Sequence, residues 1–137
     1  MTQKIDIRKA GVVIIRDRSF LVSRSRGKDV FVAPGGKLEL GESYEDAAVR
    51  ELREEQGIEL NENQLTELGT FYAHAAGNEE KLLEMKVFLL AGAFADPVPQ
   101  SEIEENKWVN SHTKDVLIGS IFEHDVMPIL QQKDLID

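Results

Sequence analysis

Short apolar runs separated by polar turns open the chain, a pattern typical of β-strands. Residues 5–16 include the apolar run Val12-Val13-Ile14-Ile15, which predicts a buried strand. The polar residues 17–19 predict a turn into a second strand at 20–24, and a third short strand is predicted at 30–33.

The second half of the chain shows a similar pattern. Residues 65–75 and 81–93 predict a long hairpin around Gly77-Asn78. Residues 107–109 predict a short strand, and Ser111 predicts the cap of a short helix through residue 118. A last helix is predicted at about 122–133, with Pro128 in its first turn or at a bend.

An amphipathic helix is predicted between the two groups of strands. Ser43 suits its N-cap, with Asp46 three residues later, and Gly57 suits the left-handed position after its last turn. One face carries the apolar side chains that we expect to pack on a sheet, namely Ala48, Val49 and Leu52. Without a repeat, linker or low-complexity tract, the pattern predicts one α/β domain spanning residues 1–137 with a mixed sheet.

Composition narrows the class of protein. The chain has 137 residues, enough for one core, and its hydrophobic content of 42% is ordinary for a globular protein. The absence of cysteine excludes a disulfide scaffold and a thiolate metal site. No membrane-length apolar run or signal segment is present, so we expect a cytoplasmic location. A net charge of −9 argues against binding nucleic acid polymers, and the lack of a membrane-length apolar run argues against a membrane partner.

The acidic side chains of the predicted helix are spaced to converge. Glu51, Glu54 and Glu55 stand at positions i, i+3 and i+4, which share one helical face. Like charges at this spacing repel, and a divalent cation among them relieves the repulsion. Carboxylate oxygens suit magnesium, with manganese as the alternative, and magnesium is commonly bound together with substrate phosphates.

The loop before the helix is suited to a ligand. Pro34 fixes its own φ, and Gly35 and Gly36 allow unusual backbone angles and a close approach. A backbone carbonyl of this loop can complete a metal shell, and Lys37 is placed to meet a phosphate oxygen.

Residues 36–58 together resemble the Nudix box. The matching positions are Gly36, Glu42 and the run Arg50-Glu51-Leu52-x-Glu54-Glu55-x-Gly57-Ile58. The resemblance, which the order of elements extends to nearly the full chain, implies a Nudix hydrolase with an α/β/α sandwich around a mixed sheet. It also implies a magnesium-dependent attack of water on a diphosphate linked to a nucleoside or similar group.

The resemblance also implies roles for single residues. Glu51, Glu54 and Glu55 would hold the metal or activate water, and the Gly35 carbonyl would be a further ligand. Arg50 would orient the glutamates as part of the catalytic set with Glu51 and Glu54. Gly36, Glu42 and Gly57 would shape the motif, with Glu42 supporting the loop or an outer metal. Coupled titration leaves open which glutamate is the general base.

Residues outside the motif complete the candidate site. Many family members have a further glutamate near residues 102–105, and Glu102 best resembles the common spacing, with Glu105 as the second choice. Four residues are candidates for binding the substrate, namely Arg24, Lys37, Tyr72 and His124. Trp108, His74 and His112 are interpreted as surface or core residues.

The substrate is the least determined part of the sequence interpretation. Ala73 stands where ADP-ribose hydrolases have a proline, and Ala75 stands near the place where dinucleotide polyphosphate hydrolases have a tyrosine. The extended signatures of the coenzyme A and NADH hydrolases are missing. The chain therefore most resembles the nucleoside triphosphate pyrophosphohydrolases. A different diphosphate-linked nucleoside and a nucleotide-sensing domain without turnover are the alternatives. The sequence leaves open whether the chain is a monomer or a homodimer.

Overall fold

The apolar runs form the strands of two sheets in the computed structural model, which describes residues 4–75 and 78–137. The strands are β1 (Ile7–Val13), β2 (Ile15–Arg16), β3 (Ser19–Ser25), β4 (Gly35–Lys37), β5 (Leu65–Ala75), β6 (Asn78–Leu90) and β7 (Ile103–Val109).

The larger sheet is mixed, as the pattern predicts. Its strand order is β4-β1-β6-β5, with β1 parallel to β6 and the other neighbours antiparallel. The smaller sheet has the order β2-β3-β7 and is antiparallel. The hairpin of β5 and β6 confirms the prediction for residues 65–75, while the predicted turn at Gly77-Asn78 lies partly outside the described residues.

The central helix α1 (Tyr44–Gln56) has the predicted ends. The Ser43 hydroxyl accepts from the Asp46 N–H, and the Asp46 carboxylate accepts from the Ser43 N–H in return. Gly57 adopts the left-handed conformation, with φ 67°, and donates its N–H to the Arg53 carbonyl. These reciprocal bonds satisfy backbone groups that helix ends leave without partners, so the boundaries of α1 are set locally.

Helices cover both faces of the larger sheet. Even-numbered β1 residues pack with α1 in one core, which includes Ala10, Val12, Ile14, Ala47, Ala48 and Leu52. The opposite core contains the following helix, α2 (Met127–Gln132), and the π-helical segment Ile121–Val126, together with Val13, Met85 and Val87. This alternation gives the predicted α/β/α sandwich. Each large apolar side chain buried in these cores contributes about 1.5–3 kcal/mol.

The expected apolar strip of α1 needs one correction. Ala47, which is not among the three strip residues predicted from the sequence, is fully buried, whereas Val49 is only half-buried. Helix α1 is therefore rotated about its axis relative to the expected orientation, so that Ala47, one turn before Glu51, faces the sheet. This rotation brings Glu51 and Glu55 to the sheet edge and leaves Glu54 toward solvent.

Two further predictions about the elements are wrong. Residues 30–33 form isolated bridges, Ser23 with Val32 and Phe31 with Ile118, and the strand lies instead at β4. Residues 111–118 form turns rather than a helix. The predicted last helix is confirmed over residues 121–132. Its first part, Ile121–Val126, is π-helical, and Pro128 lies in the first turn of α2. In the described part of the chain, no helix is long and apolar enough to cross a membrane.

Candidate metal and phosphate site

Three carboxylates meet where α1, β4 and the start of β7 come together. Single oxygen atoms of Glu51, Glu55 and Glu102 all lie within 4.8 Å of one another. Glu51 and Glu55 are one turn apart on α1, and Glu102 immediately precedes β7. They line a cavity of about 340 Å³ whose other side is formed by the Gly35-Gly36 backbone.

The two glycines of β4 are required by close packing. A Cβ on Gly35 would stand 2.0 Å from the Ala10 carbonyl oxygen, and the φ of Gly35 is +152°. A Cβ on Gly36 would stand 2.8 Å from the Glu51 carboxylate. The glycines therefore permit the close approach of β1 and Glu51, whereas the approach of a ligand to this loop stays a prediction.

Glu55 is the most buried member of the cluster. It is 6% exposed, and its carboxylate accepts a hydrogen bond of 3.1 Å from the Gly35 N–H. Burial raises the pKa of Glu55 to about 9, and the adjacent Glu51 and Glu102 act in the same direction. In the metal-free protein this carboxyl therefore retains a proton that an exposed glutamate loses.

Arg50 connects the box loop to the cluster. Its guanidinium binds both oxygens of Glu42, at 2.7 and 2.9 Å, and also donates to Glu51 and to the Lys37 carbonyl at 3.0 Å. The hydrogen bonds from Arg50 and the Glu39 N–H lower the pKa of Glu42 to about 2. The same contact with Glu42 raises the pKa of Arg50. A bidentate pair of this kind fixes geometry, so Arg50 holds Glu51 in position.

Glu54 lies outside the cluster. Its side chain is 51% exposed and reaches Arg50 at 3.4 Å. By spacing alone Glu51, Glu54 and Glu55 share one helical face, but the rotation of α1 buries Glu55, half-buries Glu51 and exposes Glu54. The assignment of Glu54 as a ligand and catalytic residue stays a prediction.

Of the two loop carboxylates considered, Glu102 joins the cluster and Glu105 does not. Glu105 pairs with Arg24 across β3 and β7, with an N–O distance of 3.2 Å. A hydrogen bond from Ser101 lowers the pKa of Glu102, so this carboxyl is held ionised beside Glu55.

The donor set fits a divalent cation. It consists of hard carboxylate oxygens, and one of the carboxyl groups, that of Glu55, has its pKa raised first by burial and then by its carboxylate neighbours. A cation is the group that would relieve this crowding, and Glu51, Glu55 and Glu102 are the residues that would hold it. The carbonyl of Gly35, which lines the same cavity, stays a predicted further ligand.

A second cavity of about 560 Å³ lies beside the carboxylate cavity. Its floor is apolar, with Leu83, Met85 and Phe122, and it carries Lys9, Lys28 and Lys37. Lys9, Val32 and Lys37 line both cavities. An elongated ligand can therefore extend from the carboxylates onto the apolar floor.

Three residues predicted to bind substrate do not line these two cavities. Arg24 alternates with Ser23 and Ser25, which line the carboxylate cavity, and so lies on the other side of β3. Tyr72 is exposed and donates to Glu84 at 3.2 Å. His124 is exposed, because the π-helical segment turns Ile121 and Phe122 inward instead. The substrate roles of Arg24, Tyr72 and His124 stay predictions, whereas Lys37 lies at the cavity as expected.

Two lining residues were not identified from the sequence. Lys9 occupies a half-buried position of β1, where burial and then the neighbouring Lys37 lower its pKa. A lysine on the inward face of an apolar strand was the available signal. His74, interpreted as a surface or core residue, lines the apolar cavity, and only the packing of β5 against the Gly119–Phe122 region makes this visible.

A buried polar network holds α1 against the smaller sheet. The Gln56 amide donates to Ser23 Oγ at 2.8 Å and to Asn106 Oδ1 at 2.9 Å, and it accepts from Asn106 Nδ2 at 2.6 Å. Backbone bonds from Val98 and Gln100 to the last turn of α1 lie close by. The loop that carries Glu102 is thereby fixed relative to Glu55.

Comparisons with known proteins agree with this geometry. Residues 6–116 match the family described as the NUDIX domain. The uncharacterized Nudix hydrolase YvcI of Bacillus subtilis (strain 168) is 32% identical over 101 residues, which cover 74% of this chain and 64% of that protein. The chain therefore spans a little under two thirds of the length of this curated relative.

Solved structures show the same fold. A MutT NUDIX hydrolase from Burkholderia pseudomallei has a TM-score of 0.71 at 25% identity, covering 92% of this chain and 96% of that one. An Ap4A hydrolase from C. elegans has a TM-score of 0.67 at 22% identity, covering 94% and 96%. The chain belongs to the Nudix family. The family resemblance inferred from residues 36–58 is confirmed.

Proposed function

We propose that this protein hydrolyses a nucleoside or deoxynucleoside triphosphate to the monophosphate and pyrophosphate. The observation that carries the proposal is the junction of the carboxylate cavity with the apolar cavity at Lys9, Val32 and Lys37. The two parts of a nucleoside triphosphate suit the two cavities. Its polyphosphate suits the cavity lined by the carboxylates and lysines, and its flat, largely apolar base suits the apolar floor. The absence of cysteine excludes thiolate ligands, and the three clustered carboxylates supply the hard oxygen ligands that magnesium prefers.

Glu51, Glu55 and Glu102 would hold magnesium, with Gly35 and Glu54 as the additional ligands that the family resemblance implies. When bound, the metal neutralises phosphate charge and lowers the pKa of the attacking water. Arg50 keeps Glu51 oriented through its bonds to Glu42 and Lys37. The Gly35 N–H fixes one oxygen of Glu55 and leaves the other toward the cavity.

In the reaction, water attacks a phosphorus atom of the anhydride and the bridging P–O bond breaks. The proton of the water passes to the carboxylates, which titrate as a coupled set in which Glu51 and Glu54 are the predicted catalytic members. Lys37 binds a phosphate oxygen at the exposed rim of the cavity. The leaving group retains the bridging oxygen and both of its electrons.

The test is a panel of nucleotides incubated with magnesium or manganese and analysed for product identity. We expect equimolar monophosphate and pyrophosphate from one or more triphosphates, and no turnover after chelation of the metal. Two phosphorylated organic products would instead indicate another diphosphate-linked nucleoside. Tight nucleotide binding without metal-dependent turnover across the panel would indicate a sensing domain.

A single substitution links the activity to the cluster. Glu55→Gln keeps the size of the side chain and the bond from Gly35 but removes a carboxylate. We expect turnover to fall by about three orders of magnitude, in the range measured when one preorganised charged group is removed from an active site. Unchanged turnover in a folded Glu55→Gln variant would exclude this cluster as the metal site.

A further inference from the structure

Lys9 stands at the boundary between the two cavities. It lines the carboxylate cavity with Glu51 and Glu55, the apolar cavity with Leu83 and Met85, and a connecting space of about 70 Å³ between them. Its strand position explains this placement, because Lys9 alternates with the buried residues of the α1 side and faces the opposite core.

The charges around Lys9 favour an anion. Lys9 is paired directly with Lys37 of β4 in the antiparallel register, and like charges in opposed positions are unfavourable. In the described parts of the chain, residues 4–75 and 78–137, the Lys9 ammonium forms no salt bridge or hydrogen bond, and Glu51 and Glu55 act on it only at longer range. A half-buried ammonium without a direct partner is costly, and a bound anion would compensate it.

The position of Lys9 between the two cavities indicates which phosphate group of the substrate it contacts. The apolar cavity suits an organic group and the carboxylate cavity suits a metal-bound diphosphate, so the phosphate that carries the organic group lies at their boundary. Lys37, by contrast, is exposed and also lines a cavity on the outer side with Glu39 and Glu42. The two lysines are therefore expected to meet different parts of the polyphosphate.

We infer that Lys9 is a substrate-binding residue that donates to a non-bridging oxygen of the phosphate attached to the organic group. It then holds the same phosphate in the monophosphate product. The inference rests on the proposed function for the identity of the substrate, and it adds a residue and a contact that the Nudix motif does not contain.

The experiment compares two kinds of ligand: nucleoside monophosphates, which carry a phosphate attached to an organic group, and inorganic pyrophosphate, which does not. Calorimetric affinities of AMP, GMP, CMP and UMP, and of inorganic pyrophosphate, are measured in magnesium buffer for the wild type and for Lys9→Met. We expect the affinity for the best-bound monophosphate to fall about ten- to hundredfold, as the loss of a charge-assisted hydrogen bond implies. The affinity for pyrophosphate is expected to change less than threefold.

Two further variants distinguish a direct contact between Lys9 and the phosphate from a general effect of removing one positive charge. Lys9→Arg keeps the charge and is expected to recover most of the monophosphate affinity. Lys114→Met removes the same charge from an exposed loop position that lines neither cavity, and it is expected to bind like the wild type. If Lys9→Met does not fold, Lys9→Gln replaces it in the same comparison.

The outcomes distinguish this inference from the proposed function. Equal losses for monophosphate and pyrophosphate, no loss for either, or no monophosphate binding by the wild type would overturn the role of Lys9. Turnover of the nucleotide panel by the wild type is measured separately. An enzyme that cleaves another diphosphate but loses monophosphate affinity in Lys9→Met would contradict the proposed substrate and still support the contact.

Discussion

At the scale of single residues, Glu55 is an example of a site residue that lowers the stability of the metal-free protein. Its carboxylate is almost fully buried beside Glu51 and Glu102, and burial is the main reason why its pKa is raised. A neutral isostere would be easier to accommodate without metal. The metal-binding role proposed for Glu55 would explain this residue, because packing alone would favour glutamine.

The stability of the metal-free protein provides a test. Folding raises the pKa of Glu55, so the folded state binds the proton more tightly and the contribution of Glu55 to stability is fully present below the ordinary glutamate pKa. That contribution is lost as the pH rises toward the folded-state pKa. In EDTA, we expect Glu55→Gln to melt at a higher temperature than the wild type at about pH 8, with the difference shrinking toward about pH 5.

Glu54→Gln is the matched control for this measurement. It removes the same charge from the adjacent, exposed position, where desolvation is small. We expect its melting temperature to follow the wild type across the same pH range. A Glu55→Gln variant that is less stable than the wild type at about pH 8 in EDTA would show that the buried carboxyl is not strained.

At the scale of secondary-structure elements, the success of the sequence interpretation depends on whether an element is determined locally. The ends of α1 were predicted because Ser43, Asp46 and Gly57 cap the helix with their own atoms. Strand β4 was not predicted, because Gly35-Gly36-Lys37 has no apolar pattern and pairs with β1 through tertiary contacts. The same reasoning covers Lys9, whose neighbours come from strands distant in sequence.

The Gln56 network offers a prediction at this scale. Gln56→Leu leaves Ser23 and Asn106 without their amide partner in the interior, and an unsatisfied buried polar group costs about 1–3 kcal/mol. We expect a lower urea midpoint for Gln56→Leu and for Asn106→Leu. The double variant should lose less than the sum of the two single variants. Each single variant leaves one amide short of its partner, whereas the double variant removes both amides and leaves only the Ser23 hydroxyl, which bonds both of them, unsatisfied.

Magnesium affinity supplies the functional part of the same experiment. The network fixes the loop of Glu102 to the last turn of α1, so loosening it separates Glu102 from Glu55. Weaker magnesium binding by Gln56→Leu, measured by calorimetry, would support this role. Strictly additive losses of stability in the double variant would contradict a coupled network.

At the scale of the whole molecule, charge is distributed unevenly. The chain carries 25 acidic and 16 basic residues, for a net charge of −9, yet three lysines line the apolar cavity. An anionic substrate thus meets an unfavourable overall field and a favourable local one. The sequence gives the overall charge directly, whereas the local field depends on how β1, β4 and the loop of Lys28 meet.

Magnesium should therefore stabilise the whole fold in a way that simple screening does not. A ligand bound only to the folded state, at a hundred times its dissociation constant, adds about 2.7 kcal/mol to the free energy of unfolding, which corresponds to several degrees in melting temperature. Sodium chloride at matched ionic strength screens the repulsion of a protein with charge −9 but cannot join Glu51, Glu55 and Glu102. We expect the melting temperature in magnesium to rise with concentration and to exceed the value in sodium chloride at every matched ionic strength. Equal shifts with the two salts would mean that the carboxylates respond only to bulk screening, and the metal site would then have to be sought elsewhere.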